Sequence, residues 1–271
     1  MIPNAVKQKW AQDSPVVNGW LSIASPFCAE IMADQGFDSL TVDVQHGALD
    51  YPDLLPMFQA MRASGVVPMA RVPWLEAGII MKALDAGAYG IICPMVNSRA
   101  DAEALVSYMR YPPKGTRSFG PTRANFSAGP GYASEANDQI LSLAMIETAE
   151  AVKNLEDIVS TPGLDGIYIG PADLTLGVTD GRLPPALDRE EEEMIEVIRR
   201  ILEAAHGAGI RAGIHCGGPD YAARAIAWGF DLVTLSNDVR MLAAAAQSSV
   251  QRTRELIGGE AAPAATDSGV Y

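Results

Sequence analysis

Two carboxylates, Glu147 in LSLAMIET and Asp173 in GIYIGPADL, stand in matching contexts. Each closes or closely follows a short apolar run that reads as a buried parallel strand, and each precedes a helix-like segment. They are 173 − 147 = 26 residues apart, about what one βα unit of a parallel barrel needs to bring neighbouring strand ends together. Two acids on one rim, offering only oxygen donors, suit a hard divalent cation that keeps open positions for a substrate.

The elements that must position them follow from hydrophobic patterning. Apolar runs predict strands at Val16–Ile23, Ser39–Val44, Val67–Val72, Gly90–Pro94, Leu141–Ile146, Gly166–Ile169, Arg211–Cys216 and Leu232–Leu235. Helical patterns fall between them at Tyr51–Ser64, Glu76–Ala86, Ala100–Met109, Ala149–Ser160, Arg189–Ala208, Asp220–Trp228 and Asp238–Leu256. Repeated βα order predicts a parallel sheet, and eight strands predict a closed (β/α)8 barrel over an open doubly wound sheet. No GxGxxG or GxxxxGK[ST] occurs, which argues against a dinucleotide or P-loop fold. Residues 1–257 read as a single barrel domain, and the tail from Gly258 to Tyr271 as a disordered one. The longest connection, Arg110–Asp138, is rich in Pro, Gly, Arg and Ser and reads as a lid or an interface arm.

Chemistry in a parallel barrel gathers at the C-terminal ends of the strands. That rule nominates Asp43 and His46 after the second strand, Arg71 at the end of the third, and Glu147 and Asp173. It also brings up His215, Asn237 and Asp238, but His215 reads as a packed core histidine and is left out of the site. Each candidate has a structural competitor. Asp173 fits a helix N-cap, His46 a loop histidine, and Arg71 a buried pair with Asp43. Asp85, inside a helical pattern, fits a solvated or interface acid. Arg117 and Arg123 fit loop-anchoring ion pairs better than recognition of an acidic substrate tail.

Composition narrows the partners. The 271 residues are 48% hydrophobic, enough for a large core, and carry a formal charge of −13. An acidic chain without a basic patch is a poor partner for nucleic acid or an anionic membrane. No run is long and apolar enough to span a bilayer, and residues 1–12 lack a signal-peptide core, so a cytoplasmic protein is expected. Cys28, Cys93 and Cys216 lack CxxC spacing and read as reduced, mainly buried thiols.

Several segments together carry a resemblance: GFDSLTVDVQHGALDY, ARVPW, IMKALDAGAYGIICPMV, YPPKGTRSFGPTRA, MIETAEAVKNL, GLDGIYIGPADLTLGVT and GFDLVTLSND. In that order, from about Asn18 to Leu256, the chain resembles the HpcH/HpaI aldolases, class II pyruvate aldolases typified by 4-hydroxy-2-oxoheptanedioate aldolase. The resemblance implies a barrel that cleaves and forms 4-hydroxy-2-oxo acids, giving pyruvate or a close analogue and an aldehyde through a metal-stabilised enolate. It makes Glu147 and Asp173 the ligands of Mg2+, Mn2+ or Co2+, and His46 the catalytic base. Arg71 becomes the enolate stabiliser, and Asp85 or Asp43 the acid that raises the basicity of the histidine. The backbone of Ala172 and Asp173 would hold the substrate carboxylate, as helix N-termini hold anions. It also implies a homo-oligomer, a hexamer built as a trimer of dimers that exchange the C-terminal helix. Two positions depart from the pattern. Gln45 stands where many relatives have Glu, and Met145 where a substrate-contacting Gln is found. The neighbouring readings are a malyl-CoA or citramalyl-CoA type lyase, for which no basic cluster is present, and a non-catalytic barrel that binds a keto acid.

Overall fold

The computed structural model describes residues 1–258. Eight parallel strands, β1 Val16–Leu21, β2 Ser39–Asp43, β3 Val67–Arg71, β4 Gly90–Cys93, β5 Leu141–Ile146, β6 Gly166–Ile169, β7 Arg211–Cys216 and β8 Leu232–Leu235, follow one another in sequence order. They close into a barrel through pairing of β8 with β1. The expected (β/α)8 architecture and all eight strands are present, the first four ending one or two residues earlier than the apolar runs suggested. β2, β4, β5 and β6 are buried along their whole length, as strands must be when helices cover one face and a filled barrel the other.

Around the barrel run α1 Ala5–Trp10, α2 Pro26–Ala33, α3 Tyr51–Ala60, α4 Ala77–Asp85, α5 Arg99–Met109, α6 Ala124–Ser127, α7 Tyr132–Gln139, α8 Ala149–Lys153, α9 Leu155–Val159, α10 Pro171–Val178, α11 Glu192–Gly207, α12 Pro219–Trp228 and α13 Asp238–Leu256. The patterned helix at Ala149–Ser160 is broken in two at Asn154, whose amide donates to the Asn97 carbonyl at 2.8 Å. α2 lies outside the expected helices, and α10 is the helix-like segment expected after Asp173, begun two residues earlier at Pro171. Each begins with a proline in its first turn, Pro26 after the N-cap Ser25 and Pro171 after Gly170, the position where a missing N–H does no harm.

Side chains alternate across a strand, so one set fills the interior. Its lower layer is polar. Asn18 donates to Thr234 at 2.9 Å and accepts from Ser39 and Thr41, while Tyr168 donates to Thr234 at 2.7 Å. These groups are buried and satisfy one another, which a buried polar cluster must do to be tolerated. Above this layer the same alternation presents Trp20, Asp43, Arg71, Met145 and His215 to the open end.

The connection Arg110–Asp138 carries α6 and α7 and stays near the other end of the barrel. Arg110 donates to Asp165 at 2.6 Å and to the Ile140 carbonyl at 3.0 Å, and Ile2 N–H donates to Ala128 O. Within one chain it is therefore no lid over the strand ends. Residues 259–271, all but the first residue of the expected tail, lie outside the described residues.

Barrel closure constrains Gly166, which pairs with Leu143 on one side and Arg211 on the other. A β-carbon there would stand 2.5 Å from the Arg211 carbonyl oxygen, a backbone atom that cannot rotate away. Gly166→Ala should cost about 1–3 kcal/mol by overpacking, several degrees in Tm for a chain of this size. Thermal unfolding of the variant checks this, and an unchanged Tm would show slack between β6 and β7.

Candidate active site

The register of β2 and β3 sets Asp43 directly beside Arg71. Arg71 Nε donates to Asp43 Oδ1 at 2.8 Å and Nη2 to Oδ2 at 2.6 Å, the bidentate geometry that favours arginine over lysine. Trp20 Nε1 donates to the same Oδ2 at 3.2 Å, and the guanidinium carbon lies 4.8 Å from the centre of the Trp20 ring. Burial opposes charge on Asp43, but the Arg71 hydrogen bonds and cation outweigh it and hold the carboxyl below its ordinary range.

Asp43 also shapes the turn that follows. Its Oδ1 accepts from the backbone N–H of Gln45 and His46, each at 3.2 Å. The Gly47 N–H returns to the Asp43 carbonyl, and a β-carbon on Gly47 would meet that oxygen at 2.3 Å. His46 is thereby held, exposed, on the rim.

Glu147 follows the last residue of β5, and Thr148, accepting from Ala151 N–H at 3.0 Å, starts α8 at once. The Glu147 carboxylate accepts from the Met95 N–H at 2.8 Å, and Met95 has φ 55°, a left-handed conformation uncommon outside glycine and frequent at functional sites. Gly170 makes room on the other side. A β-carbon there would lie 2.7 Å from Glu147 Oε2 and 2.9 Å from Met145 Cε. Burial pushes the Glu147 carboxyl up to about 7, the charge of Asp173 pushes the same way, and the Met95 N–H and Arg71 oppose them. Asp173 sits in the first turn of α10, where the helix dipole favours an acid; the N-cap itself is Gly170.

Met145, Ala172, Arg71, Trp20, Leu187 and Asn237 line the mouth formed by these groups. Asp43, His46, Arg71, Met145, Glu147, Ala172 and Asp173 thus belong to one end of the barrel. Asp85 does not. It is the last residue of α4, just before β4, and so sits at the N-terminal end, where its Oδ1 accepts from Arg117 at 2.6 Å. Within one chain it cannot act on His46. Arg117 is an ion-pair anchor as its structural reading expected, whereas Arg123 binds the carbonyls of Ala86 and Phe58 instead of an acid. Asp238 accepts from the N–H groups of Ser22 and Ile23, and Asn237 caps α13.

Trp20, Met95 and Gly170 are the contributors that sequence reasoning missed. Trp20 was findable, since it lies two residues from Asn18 on the inward face of a predicted strand. The left-handed Met95 leaves no signal in residue type.

Strand topology and mouth together define a parallel-barrel enzyme with a buried arginine beside an acid pair. The HpcH/HpaI aldolase/citrate lyase model matches residues 18–245, and the chain belongs to that family. It is 42% identical over 253 residues to a hydroxypyruvate/pyruvate aldolase of Rhizorhabdus wittichii, covering 93% of this chain and 100% of that protein. It is 34% identical over 254 residues to a 4-hydroxy-2-oxo-heptane-1,7-dioate aldolase of Klebsiella pneumoniae, covering 92% and 93%. A family member of known structure from Burkholderia cenocepacia superimposes with a TM-score of 0.85 at 32% identity, over 93% of this chain and 99% of that one. Aldolases are carbon–carbon lyases, the enzyme class the sequence led us to expect. Among the described residues no helix is long and apolar enough to cross a membrane. Cys93 and Cys216 are buried free thiols and Cys28 is half-buried, as expected.

His215 packs edge-on against Trp20 with centroids 4.9 Å apart, and its Nδ1 lies 3.1 Å from the Tyr168 hydroxyl. Burial, reinforced by Arg71, pushes its pKa down to about 3. The neutral ring is therefore the folded form, while the unfolded chain takes up a proton below about 6.5. Stability from this group is complete above about pH 6.5 and is lost as pH falls from there toward 3. Allowing for the ring edge that meets solvent, urea unfolding should show a loss of roughly 1 kcal/mol between pH 7.5 and 5 that is missing from His215→Gln. An equal loss in the variant would assign the slope to other groups.

Proposed function

We propose that the chain is a class II aldolase that cleaves and forms 4-hydroxy-2-oxo acids, releasing pyruvate or hydroxypyruvate and an aldehyde. The observation that carries the reading is the buried Glu147 beside Asp173, facing the Arg71 mouth. Two close carboxylates, one pushed up to about 7 by burial and by the other's charge, form an oxygen-donor set that a hard dication would neutralise. Among the described residues no group of three or more His, Cys, Asp or Glu is poised for a metal. Glu147 and Asp173 would thus be the two protein ligands, leaving the other positions to water and substrate oxygens. When bound, Mg2+, Mn2+ or Co2+ supplies Lewis-acid charge next to the substrate C2 oxygen.

The remaining work falls to the chain's own groups. The first turn of α10, at Ala172 and Asp173, receives the substrate carboxylate. Arg71, fixed by Asp43 and Trp20, presents a cation to the C2 oxygen and gains interaction as enolate charge develops there. His46 on the rim takes the C4 hydroxyl proton. The C3–C4 bond then breaks, its electron pair passes toward C2, and protonation of C3 releases the 2-oxo acid. Lys7, Lys9, Lys82, Lys114 and Lys153 all lie outside the strands, so no lysine stands in the barrel wall to form a Schiff base. The relatives' names support pyruvate and hydroxypyruvate as donors. Met145 replaces a hydrogen-bonding contact with a buried thioether, which favours an apolar face on the substrate there. We also assign a homo-oligomer, a hexamer built as a trimer of dimers that exchange α13. Its support is that α13 buries only Asp238 and leaves Leu242, Val250 and Leu256 exposed.

Glu147→Ala or Asp173→Ala should each abolish nearly all cleavage of a 4-hydroxy-2-oxo acid, and exhaustive EDTA should do the same to the wild type until a divalent metal is restored. Full activity after EDTA would remove the cation from the reading. Arg71→Lys keeps the charge but loses the planar fork, so it should slow exchange of the pyruvate methyl protons with deuterium nearly as much as Arg71→Ala. Exchange at the wild-type rate in Arg71→Ala would leave the arginine a structural role. His46→Ala should lower kcat by about 10²–10⁴-fold with a smaller change in KM, and an unchanged kcat across pH would assign the base elsewhere.

A further inference from the structure

The barrel has a second built cavity at the end opposite the mouth. About 160 Å³ in volume, it lies between the N-terminal segment, α3 and β3, with Ile2, Phe58, Met61, Val66, Pro68 and Tyr89 as apolar walls. Closed cavities of similar volume accommodate a benzene-sized body; this one is a cleft open to solvent on the side of Arg62 and Gly65. Arg62 and Arg123 also line it. Arg62 Nη2 donates to the Phe126 carbonyl at 3.0 Å, and Arg123 donates to the carbonyls of Ala86 and, at 3.1 Å, Phe58.

Those acceptors are neutral. Arg71, Arg110, Arg117, Arg211 and Arg224 each hold a carboxylate, yet among the described residues no acid pairs with Arg62 or Arg123. The chain carries a net charge of −13; among the described residues Arg199 and Arg200 likewise lack an acid but are exposed on α11, whereas Arg62 and Arg123 border an apolar cleft. Burial and the charge of Arg62 both push the Arg123 pKa down, so a bound anion would relieve an existing repulsion. An apolar chamber with uncompensated guanidiniums at its edge is complementary to one chemistry: an anionic head on a compact apolar body.

We propose that this cavity binds a small carboxylate whose apolar part is about the size of a benzene ring, with the carboxylate on Arg62 and Arg123 and the body against Phe58, Met61 and Tyr89. The site is separate from the mouth and independent of the reaction assigned to it.

Calorimetric titration of the full chain with benzoate, benzamide and inorganic phosphate tests the proposal. Benzoate should bind at one site per chain, with benzamide and phosphate each at least about tenfold weaker, because one lacks the charge and the other the apolar body. Arg62→Glu changes an exposed residue and should abolish benzoate binding with Tm kept. Ala5→Phe should do the same by filling the apolar end while leaving both arginines in place. Absence of benzoate binding to the wild type, or equal binding by the wild type and both variants, would overturn the proposal, as would phosphate binding as tightly as benzoate. So would failure to bind accompanied by dissociation of an oligomer in Arg62→Glu, which would make the cavity a contact between copies.

Discussion

The mouth of this barrel depends on one buried ion pair. Arg71 and Asp43 are 3% and 1% exposed, and removing either charge from water costs several kcal/mol. The cost is offset locally, by a two-point contact between side chains already adjacent in the β2–β3 register, by the Trp20 ring and N–H, and by two backbone donors from the following turn. Removing one member would leave the other charged, buried and unmatched, a loss of about 3–5 kcal/mol in comparable cases. The same contacts fix the strand tips, the turn that carries His46 and the direction of the guanidinium, so stability and site geometry are one problem here.

Across the mouth the electrostatics run the other way. Asp43 already neutralises Arg71, which leaves Glu147 and Asp173 as an excess of negative charge with Glu147 desolvated. A buried carboxylate in that position must be protonated or meet a cation. The fold accepts further cost to hold it there. Met95 sits in a left-handed conformation of the kind that costs on the order of 1–3 kcal/mol, and its N–H is aimed at Glu147. Gly170 gives up a side chain so that Glu147 and Met145 can occupy the space. Strain and missing side chains concentrated around one acid are what a binding site looks like when its geometry, more than local stability, has been the constraint.

The strands were legible because a barrel strand is buried on both faces and becomes a continuous apolar run, the strongest pattern a sequence offers. Long helices such as α5, α12 and α13 were legible to within a residue or so. α2, α6 and α7 were not, since each has eight residues or fewer and too few turns to establish a period, and α10 was legible only as a helix-like stretch after Asp173, without bounds. α10 adds a second reason: PADLTLGV is apolar on most sides because it packs against the mouth, which removes the amphipathic signal. Glu147, Asp173, Arg71, Asp43 and His46 could be nominated because strand ends were visible. Their chemistry came partly from the resemblance, as spacing alone left each with a structural alternative, and for Arg71 the structural pair with Asp43 exists alongside any catalytic use.

The sequence reading of Asp85 and of the Arg110–Asp138 connection shows how much direction matters in a parallel barrel. A segment that follows a strand and precedes a helix lies at the catalytic end; one that follows a helix and precedes a strand lies at the other. Arg110–Asp138 links α5 to β5, and Asp85 ends α4 ahead of β4, so both belong to the N-terminal end whatever their composition. The Arg117–Asp85 contact fastens the connection there, leaving the mouth of the same chain uncovered by it. Any influence of Asp85 on a His46 would have to cross from one copy of the chain to another, which ties its sequence-derived role to the oligomer instead of to the single barrel.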